Sequence, residues 1–376
     1  MATIEGILET FSHVAADPKQ ALEEQLSRGK RVVGVGPYYV PEELVYAAGA
    51  VPFGVWGAVG TATEAKKYFP PFYCSLCQMS LELGLTHKLD KLSGIMVTGL
   101  CDTLKAFSQN WKAGVDSVPM VYVSMPQNRF GEAGRVYAER SYAETARGVE
   151  ECCGAVIDEE GLDAAIRLYN EWRKEMRTFL KLAGERPKTV SFAAREAVVD
   201  AGYFMDKADH LASLRELDAL LAEVPASTEG FKRVMLSGIY ADIPTVADIV
   251  DSSKFAVVAD DLAKETRALS IEVAEGTGDG VKALAHAFCA VEADSVLYDP
   301  KKVHIDRVVE GAKACAAQGV VILLAKFCDP EEFDAPLVRK ALEAAGLPVV
   351  TVEIDQSTQS YEQARTQFET FSDLLA

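Results

Sequence analysis

Hydrophobic residues recur at helical spacing from the start of the chain, where Ile4, Ile7, Leu8 and Phe11 share one face. Asp17-Pro18 then restarts a helix through Ala21, Leu22 and Leu26. A short apolar run at 31–36 has the composition of a strand. Pro41 suits a first helical position ahead of Glu42 and Glu43, and Gly49 suits that helix's end. Three further β-rich runs follow, VPFGVW, SGIMVTG and VPMVYVSMP, with helical segments between them. From about 132 to 223 the strand signals vanish, and apolar residues keep a helical period, most clearly in RLYNEWRKEMRTFLKLAG. Strands return as FKRVMLSGI, SKFAVVADD, SVLYD, GVVILLAKF and LPVVTVEID, again separated by helices. Alternation of this kind predicts an α/β protein whose parallel sheets carry helices on their faces. The expected organisation is N-terminal helices and a first lobe over 1–130, a helical middle segment over 131–229, and a second lobe over 230–376.

Composition narrows the classes of function. The chain's 376 residues, 49% hydrophobic and 25% charged, suffice for two buried cores. Its 56 acids against 38 bases give a net charge of −18 and no Lys/Arg run, which argues against a nucleic-acid partner. No apolar stretch is long enough to span a bilayer, and the acidic, amphipathic N-terminus lacks the apolar core of a signal peptide. A cytoplasmic protein is expected, with its eight cysteines as thiols rather than disulfides.

Those cysteines differ by position. Cys101 follows the strand run SGIMVTGL and precedes Asp102-Thr103-Leu104, which suits a helix cap and first turn. Cys328 follows GVVILLAKF and precedes Asp329-Pro330-Glu331-Glu332, a strong helix start with aspartate expected at the cap. Cys74 follows Pro70-Pro71 and precedes Ser75, another expected cap. Three thiols thus lie just ahead of helix N-termini, two of them at the carboxyl ends of strands, the edge where open α/β sheets bind ligands. A helix N-terminus also favours thiolate over thiol. Cys152, Cys153, Cys289 and Cys315 have the surroundings of small buried hydrophobes. Cys77 forms a lone CxxC with Cys74; without a second pair or an HExxH it is weak evidence for zinc, and it is expected to pack inward. Three soft thiolates from separate loops suit an iron–sulfur cluster better than zinc. Spacing alone leaves open the alternative of three unconnected loop cysteines.

Other motifs fade. Gly34-Val35-Gly36 runs into Pro37 and so lacks the rest of a dinucleotide fingerprint. The glycines at 276, 278 and 280 follow a helical stretch and suit a turn. Asp260-Asp261 sits at a strand's end but is equally explained by helix capping. His13, His87, His210, His286 and His304 are scattered.

The segments around the cysteines resemble the smaller (β) subunits of 2-hydroxyacyl-CoA dehydratases, in the superfamily that also holds ATP-dependent benzoyl-CoA reductases. The resemblance rests on PEELVYAAGAVPFGVWG, YFPPFYCSLCQ, GLCDTLKAFSQNWK, MPQNR, VVADDLAKETR, KFCDPEEFDAP and EIDQSTQSYEQARTQFETF, in family order from about residue 30 to the C-terminus. Gln127-Asn128-Arg129 and the short length favour the β type. The resemblance implies two Rossmann-like lobes with a [4Fe–4S] cluster in the crevice between them, held by Cys74, Cys101 and Cys328. Its implied reaction is reversible loss of water from an (R)-2-hydroxyacyl-CoA to give an enoyl-CoA through a ketyl radical. The implied partners are a larger α subunit, at whose cluster the acyl-CoA substrate is mainly held so that this chain's cluster serves as relay or support, and an ATP-dependent iron–sulfur activator. Asp102, Asp329 and Gln109 are candidates to support the ligands. Two alternatives are a subunit of a related reductase, of benzoyl-CoA or double-cubane type, and a non-redox small-ligand binding protein.

Overall fold

A computed structural model describes residues 2–358 and 360–375. The chain opens with α1 (Ile4–Ala16) and α2 (Pro18–Ser27), the second capped by the Asp17 carboxylate and started by Pro18. The first lobe then runs β1 (Val32–Gly36), α3 (Glu42–Ala47), β2 (Val51–Gly54), α4 (Ser75–Leu85), β3 (Gly94–Thr98), α5 (Asp102–Gly114) and β4 (Met120–Val123). Four helices follow: α6 (Glu132–Cys153), α7 (Glu159–Gly184), α8 (Phe192–Phe204) and α9 (Lys207–Ala222). The second lobe runs β5 (Lys232–Gly238), α10 (Pro244–Ser252), β6 (Phe255–Leu262), α11 (Gly280–Cys289), α12 (Val303–Ala314), β7 (Gly319–Ala325), α13 (Asp329–Ala344), β8 (Val349–Ile354) and α14 (Glu362–Leu374). Pro41 stands one residue outside its helix, at the N-cap, rather than in the first turn.

Among the described residues the strands form two four-stranded, all-parallel sheets, ordered β2-β1-β3-β4 and β6-β5-β7-β8. Both sheets start in the middle, add the second strand on one side and the last two on the other. The two lobes therefore share one topology, and each has a switch point beside its first strand, where crossovers leave a crevice at the carboxyl ends. Strands β1 and β3 are buried along their whole length, as expected for a sheet covered on both faces. The middle helices close this arrangement instead of standing apart: α6 lies along β4, and α7 packs on α3, α9 and β6.

The run SVLYD is not a strand; residues 295–299 are irregular. Its backbone bonds go to side chains, because the Asp294 carboxylate accepts from the N–H groups of Val296 and Leu297. That carboxylate also accepts from the Tyr39 hydroxyl at 2.8 Å, across from the first lobe. A polar anchor has displaced the ladder that the apolar residues alone suggested.

One helix contact makes a pH prediction. Asp218 on α9 is buried and neither carboxylate oxygen has a hydrogen-bond partner among the described residues. Burial, with Glu175 beside it, pushes this carboxyl up to about 8. A raised acid stabilises fully only below its unfolded value, so its contribution fades as pH rises from about 4 to 8. Asp218→Asn should flatten that slope by at most about 1.4 kcal/mol per pH unit. Urea unfolding at several pH values measures it; parallel curves for the two proteins would contradict it.

Candidate functional site

All three singled-out cysteines occupy the same local position. Cys74, Cys101 and Cys328 are themselves the N-cap residues of α4, α5 and α13, which moves Ser75, Asp102 and Asp329 from the expected cap into the first turn. Thiol caps are unusual where Ser, Thr, Asp or Asn would serve the helix better. Cys101 and Cys328 also occupy equivalent places in the two lobes, each three residues past the end of the third strand of its sheet, at Thr98 and Ala325. At Cys328 the chain turns off β7 through Phe327, whose φ is +62°, and Cys328 N–H donates to the Ala325 carbonyl at 3.0 Å. Glu332 closes the turn by accepting from Phe327 N–H at 2.8 Å.

The sulfurs sense one another. Burial raises the Cys101 thiol to about 12, with Cys74 adding to the rise and the N–H groups of Leu104 and Thr103 opposing it. Burial likewise drives Cys328 well up, followed by the charges of Glu331 and Cys74, while Glu331 N–H pulls the other way. Cys74 is lowered, chiefly by a hydrogen bond from Cys77. Cys77 is buried in the core of the first lobe and driven well up by that same bond. Without a cation, a second thiolate beside Cys74 is strongly disfavoured. Among the described residues no three His, Cys, Asp or Glu side chains are gathered so as to hold a metal ion.

The surroundings come from both lobes. Gln356, in the loop after β8, donates from its backbone N–H to Ser75 Oγ at 3.1 Å and from its amide to the Trp56 carbonyl at 2.7 Å. Its carbonyl accepts from Gly60 N–H at 3.0 Å, so one residue of the second lobe is tied to the segment that leads into Cys74. Gly57 permits this contact: its φ is +78°, and a Cβ there would lie 2.1 Å from Gln356 Oε1. Arg129, from the MPQNR segment, is buried and donates to the carbonyls of Val291 and Tyr298 at 3.0 and 2.8 Å.

Behind Cys328 lies a buried ion network. Arg267 donates to Glu331 at 2.9 Å and to Asp261 at 2.9 Å, and to Ser295 Oγ at 2.7 Å. His304 Nε2 meets Asp261 at 2.7 Å. Burial alone would raise the Asp261 carboxyl, but Arg267 and His304 overcome it and hold the group far below its ordinary range. The network fixes the first turn of α13 through Glu331, and with it the Cys328 backbone.

Of the proposed supporting groups, Asp102 is 94% exposed and pairs outward with Lys105 at 3.0 Å. Asp329 is exposed, and Gln109 reaches Ser108 Oγ at 3.4 Å. Gln356, Arg267 and Glu331 are the residues that sequence reasoning missed, although all three lie in its distinctive segments. Cys153 and Cys289 are buried as expected, while Cys152 and Cys315 are half-buried.

Residues 37–375 match the family model described as 2-hydroxyglutaryl-CoA dehydratase, D-component. The chain belongs to this family. It is 39% identical to the β subunit of (R)-2-hydroxyglutaryl-CoA dehydratase from Acidaminococcus fermentans, over 99% of this chain and 100% of that one. It is 38% identical to the β subunit of (R)-phenyllactyl-CoA dehydratase from Clostridium sporogenes, with 100% of both chains covered. Lactoyl-CoA dehydratase subunit β from Anaerotignum propionicum is 35% identical, again over 100% of both. The expected α/β architecture of the D-component is borne out, and the match makes this chain one component of a multi-component dehydratase. Among the described residues no helix is long and apolar enough to cross a membrane.

Proposed function

We propose that this chain is the smaller, iron–sulfur subunit of a cytoplasmic 2-hydroxyacyl-CoA dehydratase, working with a larger α subunit and an ATP-dependent activator. The observation that carries this reading is the set of three N-cap cysteines, from two topologically equivalent lobes, in which a thiolate at Cys74 disfavours one at Cys101 and at Cys328. The donor set fits a [4Fe–4S] cluster: a cube takes one thiolate per iron and so spreads its ligands more widely than a single ion does. Cys74, Cys101 and Cys328 would hold the cluster, and Cys77 stands behind Cys74 as a hydrogen-bond donor. When bound, the cluster would supply a low-potential electron carrier for the dehydration of an (R)-2-hydroxyacyl-CoA.

The chain's own residues supply rigidity and charge. First-turn N–H groups of α5 and α13 favour thiolate at Cys101 and Cys328. Gln356 holds the Cys74 turn against the second lobe, and Glu331 holds the Cys328 turn to Arg267. Three relatives with different acyl groups lie within 35–39% identity, so similarity does not select the acyl group.

All three named relatives are dehydratase subunits, which favours dehydration over acyl-CoA reduction. The test combines this chain with its α subunit and activator under anaerobic conditions. A dehydratase converts many substrate molecules per electron supplied and leaves no net reduced product. Stoichiometric consumption of reductant with a reduced acyl-CoA would establish the reductase instead.

A further inference from the structure

Beside β2, the edge strand of the first sheet, lies a cavity of about 810 Å³ whose size is that of a small-molecule site. It is walled by the junction of α1 and α2, the loop after α4, the end of α8 and the start of α10, so both lobes and the middle helices contribute. Its walls are mainly apolar, with Leu22, Phe53, Trp56 and Phe204 offering aliphatic and aromatic surface. None of the three N-cap cysteines lines it.

Its polar groups are divided between floor and mouth. On the floor, the Lys264 ammonium is buried between Asp200 and Asp242, at 2.6 Å from each, and lies 5.4 Å from the Trp56 ring centre. Asp242 Oδ1 is shielded from solvent and has no hydrogen-bond partner among the described residues. At the mouth stand Lys19, Lys88 and Lys91, all exposed. Lys91 pairs with Glu23, whereas Lys19 and Lys88 form no ion pair among the described residues. On a chain of net charge −18, two unpaired lysines at the mouth of an apolar cavity are a local reversal of sign.

We propose that this cavity, which shares Trp56, Gly57 and Gln356 with the surroundings of Cys74 but is lined by none of the three cysteines, is a second ligand site that takes an amphiphilic anion. The apolar tail lies on Phe53, Trp56 and Phe204, and the anionic head meets Lys19 and Lys88. That chemistry is shared by an acyl-CoA, whose phosphates carry the negative charge, and by a free aryl or alkyl carboxylate. The inference does not depend on a cluster at the cysteines.

Titration calorimetry on the full chain tests it, with 3-phenylpropanoyl-CoA, 3-phenylpropanoate and CoA as probes. One 3-phenylpropanoyl-CoA per chain, tighter than CoA alone, is expected if the ligand is a thioester; equal affinity for the carboxylate assigns the site to free acids. Ala58→Trp, which places an indole in the cavity, should abolish binding. Lys19→Glu with Lys88→Glu should weaken it at least tenfold, and this surface pair decides the matter if the tryptophan variant fails to fold. Absence of binding by every probe would overturn the proposal. So would affinity unchanged in the charge-reversed protein, or binding that disappears once the α subunit is added, which would make the cavity an interface.

Discussion

Serine in place of Cys101 or of Cys328 should leave a folded protein that has lost most of its bound iron and cannot support dehydration. Each cysteine is the N-cap of its helix, and serine is at least as good a cap as cysteine, so the helix itself has no reason to fail. What serine cannot replace is a soft thiolate donor. Cys74→Ser belongs to the same class, but it also removes the sulfur that accepts from Cys77, and so tests two things at once. Circular dichroism and iron analysis on anaerobically prepared variants separate the outcomes. Native helical content with iron reduced severalfold and activity abolished is expected. Full iron and full activity in both the Cys101 and the Cys328 variants would remove those residues from the ligand set.

The second large effect is on stability. Arg267→Met should destabilise the protein by about 3–5 kcal/mol, the usual cost of removing one member of a buried ion network. Asp261 and Glu331 would be left buried without their guanidinium, and Ser295 would lose its donor. The pH dependence has two arms. Asp261 is held below its ordinary value, so its contribution is present above the unfolded carboxylate range and is lost as pH falls through the folded value. His304 is raised, burial opposing and Asp261 prevailing, so its share is complete below the ordinary imidazole range and fades as pH rises through the higher folded value. The variant should lose much of the acid arm because the Asp261 carboxylate has lost a partner. Urea midpoints across that range measure this, and a midpoint unchanged at pH 7 would show that the network contributes little. Iron should also leave the variant faster on warming, since Glu331 no longer pins the turn that carries Cys328.

Much of the fold was legible because it is written locally. Apolar runs of strand length, each followed by a helix start, led to parallel sheets, and Asp17-Pro18 announced α2 correctly. The three distinctive cysteines could be found because each stands between a turn or strand and a strong helix start. Their place as the caps themselves could not be read, since Ser75, Asp102 and Asp329 are all better capping residues by type. The strand expected at 295–299 failed because Asp294 takes up the backbone N–H groups that a ladder needs. Nor could local pattern reveal that Gln356 meets Ser75, 281 residues earlier, or that Arg267 meets Glu331, 64 residues later. The shared strand order of the two sheets was equally hidden, because topology is set by packing rather than by any sequence repeat.

The most direct test of the central claim is iron and acid-labile sulfide on the wild-type protein, purified without oxygen, together with its EPR spectrum in the reduced state. The three-cysteine site predicts about four iron and four sulfide per chain and the signal of a reduced cubane cluster. A colourless chain that binds neither iron nor sulfide, and takes up none on reconstitution, would contradict it.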